Sequence, residues 1–481
     1  MKLAFTALAA LAITLGALPA AAGQAPYAAS AANIAISPQD RVYLSDQTSN
    51  TVSVVNPATE TLLGVIRLGE VSPGNLSPLY TGQLLVHGMG FSPDRRTLDV
   101  VSVGSNSVTF IDTPTNRVKH ITYVGRSPHE AFFTPDGKEV WVTVRGENYI
   151  AVLDGETYRE VSRITVPNGP GMTIFSPDGK YGYVCSSFTP ETDVIDRFTH
   201  RIAGRVTQAS PFCPDLAATP DGTQVWETLK DTGKTEVFNA KPPFDVIAVL
   251  NTGPITNHVN IVRNAHGQFA YVSIGGLNEV KVFTTTSDPQ LVATIPTGAL
   301  PHGLWPSGDG TRIYVGLENA DAVTAIDTLS NRVVATIHTG QSPQGMAYVP
   351  QAVPSGEGTQ NLEPLARAGE AAHLTLHAPG NASIATTVAI NNQGLLDLLE
   401  AAVTGLQPKH AYTLSLALNP EGTGSLEPLA MFKTNPAGAA IVTAIAQLRG
   451  ALASSAAAPT RRYIVITAGA PGAAEIVQVQ K

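Results

Sequence analysis

Short runs in which β-branched and aromatic residues alternate with polar ones recur from about residue 33 to residue 350. The clearest unit spans Ser127 to Pro170. Its four runs, AFFT, EVWVTV, YIAVLD and EVSRITV, are separated by Pro135-Asp136-Gly137, Gly146-Glu147-Asn148 and Asp154-Gly155-Glu156-Thr157. Runs of this length are too short for stable helices and suit strands joined by tight turns. The first turn returns at Ser37-Pro38-Gln39-Asp40, Ser92-Pro93-Asp94, Ser176-Pro177-Asp178-Gly179 and Thr219-Pro220-Asp221-Gly222, and in weaker form at Asn264-Ala265-His266-Gly267 and Gly308-Asp309-Gly310. These seven anchors recur every 42 to 45 residues, apart from one interval of 55. Four strands per unit at that period predict a β-propeller.

The second strands read RVYLSD, TLDVVS, EVWVTV, YGYVCS, QVWETL, FAYVSI and RIYVGL, and the third TVSVVN, SVTFID, YIAVLD, TDVIDR, TEVFNA, EVKVFT and AVTAID. With Val333-Val334-Ala335-Thr336-Ile337, this pattern resembles the YVTN-type β-propeller repeat family over residues 33–350. The resemblance implies seven blades and leaves function open, because propellers host binding, structural and catalytic roles alike. One first strand is left over, either Asn33 to Ser37 or Gln344 to Pro350; the second continues the repeat better and is expected to close blade 1.

The long interval holds an insertion of about 13 residues within GEVSPGNLSPLYTGQLL, read as a surface loop or a flap over one channel mouth. Residues 351–370 read as a linker, and 371–481 as a small β-sandwich of seven short strands, with Gly394 to Glu400 a candidate helix. The expected fold class is therefore all-β, a seven-bladed propeller followed by a β-sandwich.

Composition agrees. Charged residues make up 14% of the chain, below the roughly 25% usual in soluble domains, while 43 Gly and 35 Pro indicate many turns. A net charge of −8 without a Lys/Arg cluster argues against nucleic acid as a partner. Residues 1–22 carry Lys2, an apolar run from Leu3 to Leu18 and Ala20-Ala21-Ala22, the layout of a cleaved signal peptide. A periplasmic or secreted protein with no transmembrane segment in its mature form is expected. In such a compartment Cys185 and Cys213, both placed at one rim of neighbouring blades, are expected to form a disulfide.

Candidate chemistry gathers at one repeat position. His87, His129 and His302 stand at the start of first strands, with Gln344 in the same place, and His258 joins them if one extra residue is allowed before Gly267. Equivalent positions of innermost strands lie at equal height around the channel, so these imidazoles would ring its mouth and offer nitrogen ligands to Cu, Zn or Fe. The competing reading is structural: the histidines hydrogen-bond a neighbouring blade's backbone, and opposite sides of the channel lie too far apart to share an ion. Glu130, Arg145, Lys230 and Glu318 belong to the same rim, with Asp46, Asp215 and Asn257 nearby. His373 and His377 read as solvent-facing. No phosphate loop, Gly-x-Ser-x-Gly elbow, CxxCH or HExxH appears. The pattern points first to an exported binding or scaffold protein taking a small ligand or protein partner at the channel mouth. The alternative is an enzyme there: a metal-dependent oxidoreductase using the His ring, or a lactonase or lyase.

Overall fold

The computed structural model describes residues 33–69, 84–366, 371–393, 396–452, 461–469 and 475–480. The signal-peptide segment and nearly all of the insertion lie outside the described residues. Within them, seven four-stranded antiparallel sheets are followed by one eight-stranded antiparallel sheet, and no helix is long and apolar enough to cross a membrane.

Each blade begins at the channel and ends at the rim. In blade 3 the order is Pro128–Phe133, Glu139–Val144, Tyr149–Asp154 and Glu160–Thr165. The first three strands are buried along almost their whole length, because each sheet packs between two others. The outermost is largely exposed, which is why its residues are charged or polar at intervals. Gly137 explains the turn signature: its φ of 70° is a left-handed conformation that favours glycine, and its N–H donates to Thr134 O at 2.8 Å while Thr134 Oγ1 donates to Asp136 Oδ1 at 2.7 Å.

Closure follows the expectation. The run Pro343–Val349 is the innermost strand of blade 1, pairing Tyr43 with Ala347 beside Arg41–Asp46. The two ends of the propeller are thus joined in one sheet, and the ring has no open seam. Burial is deep enough that Trp141 rests on Gly182, where a Cβ would meet its ring at 2.4 Å.

The stretch expected as a linker is anchored to the propeller as far as Glu363. Ala352 and Val353 are buried, Asn116 Nδ2 donates to Gly358 O and Gln360 O at 2.9 Å, and Val65 and Glu363 exchange backbone hydrogen bonds at 2.9 Å. These carbonyls and amides satisfy blade edges that would otherwise face solvent.

The C-terminal sheet contains one strand more than the seven expected. Its edge strands, Leu426–Lys433 and Ala440–Ala446, lie side by side, so the sheet is a nearly closed barrel. The additional strand, Asp397–Val403, replaces the candidate helix. Leu399, Ala401 and Val403 turn into the barrel core at alternate positions, a period of two that a helix could not use.

The barrel sits on the loop face of the propeller. Asn319 Nδ2 donates to Thr387 O and Oγ1 at 3.2 Å, and His373 Nε2 lies 3.2 Å from Asp321 Oδ2. Ile255 and Leu300 of the propeller share an apolar cluster with Ala402 and Ala439 of the barrel. His373, expected to face solvent, thus also reaches the other domain.

Candidate functional site

The innermost strands bring the histidines together. His87 Nε2 and His129 Nε2 are 2.9 Å apart, the His87 and His302 ring centroids 6.0 Å, and those of His258 and His302 4.7 Å. All four are buried. Among the described residues the one group of three or more possible ligands within 4.8 Å of one another is His87, His129 and Glu130, so the four histidines do not form a single ligand set, and His258 and His302 stand apart from it.

His258 belongs to a second layer. Val259 pairs with Val272 as Leu304 pairs with Val315 and Met89 with Val100, so the residue at the height of His302 and His87 is Asn257. His258 falls one position further on, level with Glu130 and Asp215, and its Nδ1 is 3.6 Å from Asp215 Oδ2. These three line a small cavity of about 20 Å³ with Met89, Met172 and Met346. The sequence count erred because the turn of blade 6, Asn264 to Gly267, departs from the others.

The hydrogen bonds set the tautomers of the first layer. His129 Nδ1–H donates to Gly171 O of the next blade at 2.7 Å, leaving its Nε2 a lone pair, and His87 Nε2–H donates to it. His87 Nδ1 then accepts from Gln47 Nε2 at 3.2 Å. His302 Nδ1–H donates to Gln344 O at 3.3 Å, so its Nε2 carries a lone pair 4.0 Å from Glu318 Oε2. The structural reading of these imidazoles, anchoring to a neighbouring backbone, is correct for the Nδ1 atoms of His129 and His302, whereas His87 Nδ1 is held by the Gln47 side chain.

Above this layer lies a cavity of about 500 Å³. Its propeller wall includes Gln47, Arg145, Phe212, Lys230, Glu318 and Gln344, and its roof is the barrel, through Glu400, Lys433, Asn435 and Ile441. Asp46 is not part of it: that carboxylate is buried within blade 1, where Oδ2 accepts from Thr51 and Ser53 at 2.8 Å. The barrel residues had no signal in the sequence, since nothing there tells which sheet covers which. Gln344 did, by sharing the histidines' repeat position.

Electrostatics separate the groups. Burial, reinforced by Arg145, pushes His87 down to about 3, and burial pushes His258 to about 3; His129 and His302 are lowered for the same first reason. All four are neutral at neutral pH. Burial raises Glu130, Asp215, Glu318 and Glu400, the last two sharing a hydrogen bond across the domain boundary. Gln344 Nε2 also donates to Glu318 Oε1. Burial lowers Arg145 to about 10, and burial also lowers Lys230, against the opposing pull of Glu318 and Glu400.

Arg145 has no anionic partner, whereas Lys230 faces Glu318, Glu400 and Asp231 electrostatically. Among the described residues, neither side chain makes a hydrogen bond or an ion pair, and Arg145 Nε is buried and unsatisfied. Both instead flank the Phe212 ring, Arg145 at 5.0 Å and Lys230 at 5.9 Å, with Phe188 at 5.8 Å from Arg145. Phe212 is held beside the expected disulfide, Cys185 to Cys213, whose Cα atoms are 5.9 Å apart.

Fold and site define a seven-bladed propeller with a buried imidazole layer under a roofed, cation-bearing cavity. The family model described as lactonase, 7-bladed beta-propeller matches residues 105–340. In fold the chain is similar to Kuenenia stuttgartiensis hydrazine synthase, at 22% identity over 61% of this chain and 94% of that one, TM-score 0.52. It is similar too to the periplasmic gluconolactonase of Pseudomonas aeruginosa, at 19% identity over 64% and 99%, TM-score 0.50. A functionally unknown protein from Desulfotomaculum acetoxidans gives 15% identity, 64% and 98% coverage and a TM-score of 0.55. At such identities the likeness is one of fold. No curated protein matches the chain.

Proposed function

We propose that the roofed channel mouth hydrolyses a lactone that carries an anionic group. The observation that carries this reading is the partnerless cation Arg145, in one cavity with Lys230, a neutral imidazole and a carboxyl pair whose proton affinity burial raises. A desolvated cation without a partner is costly, and an anionic ligand supplies what is missing. The lactonase family match over residues 105–340 supports the same reaction class. The apolar run after Lys2 and the disulfide support an exported protein.

In this reading His302 Nε2 takes a proton from water as it adds to the lactone carbonyl. Arg145 and Lys230 hold the anionic group and the developing oxyanion in a site with little water, where charge stabilisation is strongest. The Glu318–Glu400 pair, whose hold on a proton burial strengthens, donates a proton to the departing ring oxygen, and His302 returns its proton to the pair, restoring the site.

Proton release in a pH-stat tests the proposal, with gluconolactone and a carboxylated lactone as substrates. Turnover is expected for the wild type, with preference for the anionic substrate, and a loss of about 10²–10⁴-fold in His302→Gln. Saturable binding with no proton release would return the site to a binding role.

A further inference from the structure

We infer that His87 and His129 form a binding site for a divalent transition-metal ion, with Cu(II) the best-suited ion. The two Nε2 atoms face each other at 2.9 Å. Nitrogens at that separation, each bonded at roughly 2.05 Å, subtend about 90° at a shared ion. That is the cis angle of a square or tetragonal site, which imidazole-bound Cu(II) and Ni(II) adopt, whereas a tetrahedral Zn site needs the nitrogens about 3.3 Å apart. Among these ions Cu(II) binds nitrogen most tightly.

The surroundings are those of ligands rather than of a bare core pair. Each outer nitrogen is already held, His129 Nδ1 by the Gly171 carbonyl at 2.7 Å and His87 Nδ1 by the Gln47 amide at 3.2 Å. Such outer contacts fix ring orientation at metal centres. A Glu130 carboxyl oxygen lies within 4.8 Å of one ring nitrogen of each histidine, and 3.8 Å from His129 Nδ1, so a third oxygen donor stands beside the pair. On binding, the ion takes the place of the one proton shared by the two Nε2 atoms. Gln47 turns its amide to accept from His87 Nδ1–H.

Arg145 lies near enough to disfavour positive charge on His87 and His129, so the ion binds against that repulsion. The inference does not depend on lactone hydrolysis, and its test uses no substrate. The full chain is stripped with chelator and titrated with CuSO₄, then with ZnCl₂, by calorimetry, and the Cu(II) form is examined by continuous-wave and pulsed EPR. One Cu(II) per chain is expected, tighter than Zn, with coupling to two imidazole nitrogens, and at least a 100-fold loss of affinity in both His87→Gln and His129→Gln. Absence of stoichiometric Cu(II), or a spectrum without two coupled imidazoles, would overturn it. Unchanged affinity in folded variants would do the same. Should either variant fail to fold, the wild-type spectrum alone decides.

Discussion

Arg145→Met separates stability from recognition in a single change. Burial lowers the guanidinium from its ordinary value to about 10, by roughly 2.5 pH units. At 1.36 kcal/mol per pH unit that is roughly 3 kcal/mol of desolvation, and about half after screening, since the side chain is only partly shielded. Two ring contacts, with Phe212 and Phe188, return roughly 0.5–1 kcal/mol each. Met keeps the aliphatic packing and removes both effects. The two nearly cancel, so the variant should match the wild type to within about 0.5 kcal/mol in urea unfolding. Its affinity for an anionic ligand moves the other way. A hydrogen bond to a charged group is worth about 1.5–3 kcal/mol, a factor of about 10 to 150. Calorimetric titration with gluconate measures this on the same preparation. A clearly less stable variant that binds gluconate as the wild type does would refute the reasoning, because Arg145 would then be a structural residue.

Three further outcomes follow from other parts of the site. Glu318 and Glu400 are raised in the folded protein, so it holds more protons than the unfolded chain there. Their contribution is fully present below about pH 4.5, the ordinary Glu value, and is lost as pH rises through their raised folded values. Lys230 opposes this, and Glu400→Gln should flatten the alkaline decline in urea midpoint; an unchanged slope would place the titration elsewhere. Removing the disulfide in Cys185→Ser/Cys213→Ser frees a loop of 28-residue separation, costing roughly 3.6 kcal/mol in the chain-entropy account, and should raise KM through Phe212 more than it lowers kcat. Asp46→Asn should stabilise the fold near neutral pH, since burial raises this carboxyl to about 8 and its Oδ1 has no hydrogen-bond partner; a lower urea midpoint would contradict that.

Much of this was legible in the sequence for a physical reason: a blade needs the same turns and the same buried alternation each time, so the period, the closing strand and the shared height of His87, His129 and His302 can all be counted. Counting failed where the local rule failed. His258 moved a layer down because the turn of blade 6 lacks the usual Pro-Asp-Gly. Glu400 was hidden for two reasons. Its segment, with leucines at 395, 396, 398 and 399, mimics a helix, and its partner Glu318 belongs to another sheet 82 residues earlier. A contact between domains leaves no periodic trace. The missing anion of Arg145 was equally invisible, because only packing reveals that a charge has been buried without a partner.

A crystal structure of the full chain soaked with gluconate tests the central claim most directly. The account predicts the carboxylate bound to Arg145 and Lys230 beneath the barrel, with His302 Nε2 turned toward it. A hydroxy acid bound elsewhere, or a channel mouth left without ligand at saturating concentration, would contradict it.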